Sequence, residues 1–137
     1  MKVLIDTNVA IDMLSNRMPF SVHSSEVLTL CETNKIKGFL TTTTVTDIYY
    51  ILGKTVSDKT NLYTILEKFI SIVELCDVTK QNVFNALKQR QSDFEDAVQS
   101  DCAITVGADY IVTRNTKDFT NSKVKAITPE EFLKLKF

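Results

Sequence analysis

The sequence predicts an α/β domain built on a mostly parallel sheet of about five strands, and three observations predict it. Five short apolar runs alternate with longer segments whose apolar residues keep helical spacing. No hairpin turn signal separates consecutive runs, so each strand must return parallel through a helical crossover. Finally, 137 residues at 44% hydrophobic and 24% charged composition match one globular domain spanning 1–137. Such a chain buries roughly two-thirds of its unfolded surface and folds without metal or disulfide.

The elements follow in order. Lys2–Ile5 is the first strand and stops at Asp6, which can cap a helix starting near Asn8. Ser21 to about Lys37 reads as a helix, with Val22, Val27, Leu30, Cys31 and Ile36 at helical spacing. Lys35, Lys37 and then Gly38 form a basic last turn followed by a helix-ending glycine. Phe39-Leu40-Thr41 is the second strand, and Thr42-Thr43-Thr44 supply capping hydroxyls for a helix running to Leu52, ended by Gly53. Asp58 caps the next helix, to about Ile70, with Leu62, Ile65, Leu66, Phe69 and Ile70 on its apolar face. Ile72–Cys76 is the third strand, and Thr79 caps a helix carrying Val83, Phe84 and Leu87. Ser92 or Asp93 opens another, with Ala97, Val98, Cys102 and Val106 buried and Gly107 closing it. Tyr110-Ile111-Val112 and Val124–Ile127 are the last strands, and Thr128-Pro129 opens a final helix through a hydroxyl cap and first-turn proline. All three glycines thus fall at expected helix ends.

Composition narrows the chemistry. Sixteen basic against 17 acidic residues give a net charge of −1, which excludes nucleic-acid binding through bulk positive charge but not through a local patch. The single histidine, His23, excludes two-histidine acid–base nuclease chemistry, and no G-x-x-x-x-G-K loop is present. Cys31, Cys76 and Cys102 are odd in number and far apart, as in a reduced protein rather than a disulfide or zinc scaffold. No apolar run approaches the ~18 residues of a membrane span, so a cytoplasmic protein without membrane partners is expected.

Parallel strands joined by right-handed crossovers place every strand C-terminus, and the N-termini of the covering helices, along one sheet edge, where ligands bind. Four acids map to that edge. Asp6 ends the first strand, Asp47 lies early in the helix after the second, Asp96 opens the helix before the fourth, and Asp118 follows the fourth by a short loop. Each alone suits a helix start or turn. Together they repel: at ~5 Å and an effective dielectric of ~20, each pair costs about 3 kcal/mol. A cation relieves that repulsion, and an all-oxygen donor set suits Mg²⁺ or Mn²⁺ rather than zinc. The 93–109 segment adds Asp93, Glu95, Asp101 and Asp109 without a nearby Lys or Arg. Beyond it, Arg114, Lys117, Lys123, Lys125, Lys134 and Lys136 outnumber three acids. Acids holding metal beside basic side chains are what phosphodiester hydrolysis needs.

Four stretches carry a more specific signal: Asp6-Thr7-Asn8-Val9, Thr44-Val45-Thr46-Asp47-Ile48-Tyr49, Asp93-Phe94-Glu95-Asp96-Ala97, and Val112-Thr113-Arg114-Asn115-Thr116-Lys117-Asp118-Phe119. In this order they resemble the PIN-domain family of metal-dependent ribonucleases, which includes many bacterial VapC-type toxins. The resemblance implies a three-layer α/β/α sandwich and an acidic quartet holding one or two Mg²⁺ or Mn²⁺ ions. Asp6 and Asp96 would be direct ligands and Asp118 a ligand directly or through water. Asp47 stands where the family most often has glutamate and would act through water. Asn8 and Asn115 would orient the acids or the substrate phosphate, as would Thr7 and Thr113, with Arg114 and Lys117 as basic contacts. Asp93 either shares a face with Asp96 at i, i+3 or caps its helix, and Glu95 has no assigned role.

The resemblance further implies an endoribonuclease acting on single-stranded RNA, the toxin of a toxin–antitoxin pair whose antitoxin covers the acidic cleft. Ile48, Tyr49, Tyr50, Ile51 and Leu52 form an apolar run in excess of core needs, as a homodimer face would. Asparagine at position 6 or 96 should abolish cleavage yet raise metal-free heat stability. The rival reading is a PIN-like module of weak catalysis that binds RNA or a partner. Phosphatase and phospho-acceptor readings of Asp6 lack the second acid that each requires near it, since position 8 is Asn8.

Overall fold

The computed structural model describes residues 1–136. In chain order it contains β1 (Lys2–Ile5), α1 (Thr7–Leu14), α2 (Phe20–Glu32), β2 (Lys37–Thr41), α3 (Thr42–Leu52), α4 (Lys59–Ile72) and β3 (Glu74–Cys76). There follow α5 (Lys80–Gln89), α6 (Phe94–Val106), β4 (Tyr110–Val112), a 3₁₀ turn (Thr116–Phe119), β5 (Lys125–Ile127) and α7 (Pro129–Leu133). Every strand pair is parallel, in the order β3-β2-β1-β4-β5. Among the described residues no helix is long and apolar enough to cross a membrane.

Strand alternation builds two cores. Val3 and Ile5 point into one, with Val9, Val27, Leu52, Leu62, Phe69 and Phe132 from α1–α4 and α7. Leu4 points into the other, with Ala86 from α5 and Ala97, Cys102 and Ala103 from α6. Helices on both faces of a buried parallel sheet make the three-layer α/β/α arrangement. Local chemistry sets the helix starts: Asp58 accepts from Thr60 N at 2.9 Å, and Thr79 with Asn82 forms a reciprocal capping box. The open question at Asp93 is resolved, since its carboxylate accepts from Asp96 N at 3.1 Å and so caps α6.

Three expectations need correction. The second helix ends at Glu32, not near Lys37, and Asn34 makes the left-handed turn (φ 58°) that starts the return to β2. Gly38 therefore lies inside β2, where a Cβ would stand 2.6 Å from Cys31 Sγ and 3.0 Å from Ile5 Cδ1. Its glycine reflects close approach of strand and helix rather than a helix end. Gly38→Ala is accordingly expected to destabilise the fold by about 1–3 kcal/mol in urea titrations, with partial recovery on adding Cys31→Ala. On α5 the covered residues are Asn82 and Ala86, while Phe84 and Leu87 are exposed. The 48–52 run is as expected, with Ile48 and Leu52 taken up by the core and Tyr50 left exposed as the excess.

Candidate active site

The chain leaves β1 for β2 on one side and β4 lies on the other, so the C-terminal end of β1 is a topological switch point. Asp6 sits there, its own N–H donating to Val112 O at 3.0 Å. It is almost fully buried, and its carboxylate accepts from Thr7 N (2.7 Å), Gln99 Nε2 (3.0 Å) and Thr113 Oγ1 (2.7 Å). Burial pushes its pKa above the ordinary aspartate value; the three donors oppose this and the charge of Asp118 adds to it.

The cap at Asp93 sets Asp96 in the first turn of α6, 9% exposed, where burial and then the charges of Asp6, Asp93 and Asp118 raise its pKa to about 7. Glu95, at the rim, lies against Asp47 on α3. A hydrogen bond shared with Asp47, then desolvation and the charges of Asp47, Asp6 and Asp93, lift Glu95 to about 8. Two carboxylates can share a hydrogen bond only by keeping a proton between them. The four acids expected at this edge, with Asp93 and Glu95, line one open cleft of about 430 Å³.

Among the described residues no three acidic, histidine or cysteine side chains stand close enough to form a ready-made ligand set. The donor set nevertheless fits a hard dication, because it is all oxygen and Asp6, Glu95 and Asp96 each hold their protons above the ordinary range. Asp6 and Asp96 could hold such an ion, with Asp47 and Asp118 at its margin.

The other expected contacts divide. Asn8 and Asn115 line the cleft, though Asn8 Oδ1 is engaged with Arg114 N at 3.4 Å. Thr113 is wholly buried, bonded to Asp6 and accepting from Asn115 N at 3.0 Å, so it positions an acid and cannot meet substrate. Thr7 bonds Thr44 through its hydroxyl, 3.0 Å away. Lys117 is exposed and outside the cleft lining. Arg114 also lies outside it: its Nε pairs with the fully buried Asp12, and its Nη2 donates to the same carboxylate at 3.3 Å. The role foreseen for Arg114 as a charge on the scissile phosphate does not suit that commitment.

Two cleft residues escaped the sequence. Gln99 orients Asp6, and Arg17, about half exposed and only 3.9 Å from Asp12, supplies the cation that Arg114 does not. Gln99 lies one turn beyond Asp96 on the same helix face, a spacing that could have marked it. Arg17 follows α1 in a loop and carries no such signal. The acidic 93–109 segment also splits, since Asp101 is held by Asn82 and Asn85 amides and Asp109 by Lys2 N, away from the cleft.

Comparison with known proteins places this site in context. The chain is 26% identical over 136 residues to Ribonuclease VapC1 of Aquifex aeolicus, covering 96% of this chain and 92% of that one. Two solved structures share the fold. DNA-bound VapBC from Salmonella typhimurium gives a TM-score of 0.71 at 20% identity, covering 94% of this chain and 98% of that one. VapBC-1 from nontypeable Haemophilus influenzae gives 0.71 at 16%, covering 95% and 99%. The PIN-domain family model matches residues 2–117, the span that holds Asp6, Asp47 and Asp96, and the chain therefore belongs to the PIN-domain family.

Proposed function

We propose that this protein is a divalent-metal-dependent endoribonuclease that hydrolyses phosphodiester bonds in single-stranded RNA. The convergence of Asp6, Asp47, Asp96 and Asp118, with Glu95, on one cleft at the switch point carries this reading. Kinship with a protein named as a ribonuclease supports it. Mg²⁺ or Mn²⁺, one or two ions, bound by Asp6 and Asp96 would neutralise the reacting phosphate and make water a stronger acid.

The chain's own groups do the rest. Gln99 and Thr113 orient the Asp6 carboxylate and oppose the upward push of burial on its pKa. The Asp93 cap fixes Asp96 on the opposite wall of the site from α1. Glu95 and Asp96 hold their protons to higher pH than ordinary carboxylates, so cation binding in the cleft should release protons and tighten as pH rises. Arg17 lines the cleft about half exposed and pairs only loosely with Asp12, at 3.9 Å, so its guanidinium would reach phosphate oxygen, and the Asn8 and Asn115 amides lie within the same cleft.

The test is cleavage of single-stranded RNA with Mg²⁺, Mn²⁺ or EDTA, beside a folded Asp96→Asn protein. Metal-dependent cutting that falls at least a hundredfold in the variant is expected, since removal of one such charge stabiliser typically costs about 10²–10³ in rate. Cutting in EDTA, or equal cutting by Asp96→Asn, would overturn it; RNA binding without cutting would favour a binding module.

We further propose an antitoxin partner that covers the cleft with a basic side chain, in keeping with the VapBC complexes that share this fold. A homodimer contact is proposed at Tyr50 and Tyr63, which are 73% and 56% exposed and bridged through Tyr49, with ring centroids 6.0 and 5.7 Å from it. Three free, buried thiols agree with a reducing, cytoplasmic setting.

A further inference from the structure

We propose that a second cavity, next to the acidic cleft, is a nucleobase subsite that receives one unpaired base beside the scissile phosphate. The inference rests on the ribonuclease reading above and names how that site would select its RNA. The cavity measures about 260 Å³, and its walls include Phe20, His23, Arg114, Asn115, Pro129 and Glu130. Asn115 lines this cavity and the acidic cleft alike, so the two adjoin at that residue.

The walls carry what a splayed base requires. Phe20, at the start of α2, remains 43% exposed, and the Arg114 guanidinium lies over its ring at 4.1 Å from the centroid. Because Asp12 holds that guanidinium, the aromatic–cation stack is fixed before any ligand arrives. The pairing that removes Arg114 from phosphate duty thus makes it a wall. Ser24 is wholly buried, and its hydroxyl has no hydrogen-bond partner among the described residues, although it borders the cavity. That hydroxyl is covered, so Ser24 shapes the wall without offering an open edge contact.

The remaining polar groups favour a base over its competitors. Glu130 repels a phosphate, and Arg114 has already spent its charge on Asp12. An apolar side chain from a protein would stack but offer nothing to the Asn115 amide or to the Glu130 carboxylate, which pairs with Lys134 at 3.6 Å on the surface. Bases offer both a π-face and an edge of donors and acceptors. Glu130 accepts only, so guanine, whose N1–H and N2–H can both donate to one carboxylate, should be preferred to uracil, which offers the single N3–H.

Two readouts test this. The first is cleavage of one RNA carrying an abasic residue at successive positions around the cut. Wild type should lose about tenfold in kcat/KM at a single flanking position, the size of one base–aromatic stack, and in Phe20→Leu that penalty should shrink to about twofold or less. Glu130→Gln should narrow the preference against uracil at the same position. The second reads the cavity without catalysis: the Phe20 and His23 ring resonances are followed by NMR during titration with nucleoside monophosphates and with ribose 5-phosphate. Nucleotides should shift them and the sugar phosphate should not, even if no RNA is cut. Equal shifts, no shifts, or abasic penalties that Phe20→Leu leaves intact would overturn the subsite, whereas metal-dependent cutting would leave the nuclease reading standing.

Discussion

Asp96→Asn is expected to make the metal-free protein more heat-stable at pH 8 and indistinguishable from wild type near pH 4. The folded protein holds the Asp96 proton up to about pH 7, whereas the unfolded chain releases it near 3.8. Proton uptake by the folded state means that stability is fully present below the unfolded pKa and is lost as pH rises toward 7. A shift of that size corresponds to at most about 4 kcal/mol, and water in the open cleft screens part of it. A gain of about 2 kcal/mol, or roughly 5–10 °C in Tm, is therefore expected at pH 8. Mn²⁺ should reverse the order, raising the Tm of wild type well above that of the variant. Equal melting at pH 8 without metal would show that the carboxylates do not strain the fold. The same exchange at Asp6 should gain less, because the amide replaces a carboxylate that accepts from Thr7, Gln99 and Thr113.

Asp12→Ala is expected to destabilise the protein by about 3 kcal/mol, lowering Tm by roughly 10 °C. Asp12 is fully buried and receives Arg114 through two nitrogens, so its removal leaves a mostly covered guanidinium without a counter-charge. The effect should fall on the site as well as the fold, because Arg114 is flanked by Thr113 and Asn115 and its N–H donates to Asn8. Adding Arg114→Met should recover at least about 1 kcal/mol, since an apolar side chain needs no partner there. Thermal melts of the single and double variants check both statements. An Asp12→Ala protein melting within 2 °C of wild type would place Arg114 in solvent contact instead.

Much of the fold was legible because its signals are local. Helix caps need only a hydroxyl or carboxylate one residue before an apolar period, and Asp58, Thr79, Asp93 and Thr128 all act that way. Gly38 was misread because a glycine beside lysines reads equally as a helix end or as a close contact. Only the distance to Cys31 separates the two. On α5, Phe84 and Leu87 carried the stronger apolar pattern, but α6 covers the polar Asn82, whose amide is taken up by Asp101.

For the site, residue type and strand order were enough to bring Asp6, Asp47, Asp96 and Asp118 to one edge, because strand polarity in a parallel sheet dictates where each element ends. By itself the chain thus determined the architecture, the acid-lined edge and the exclusion of histidine chemistry. Tertiary structure alone decided which cation faces the acids. Arg17 and Arg114 are chemically alike in sequence, but Arg114 is drawn onto the buried Asp12 and away from the cleft, whereas Arg17 lines the cleft. Asp12 pairs with both, closely with the covered Arg114 and loosely with the half-exposed Arg17, and that difference depends on burial and distance between remote segments, which no spacing along the chain encodes.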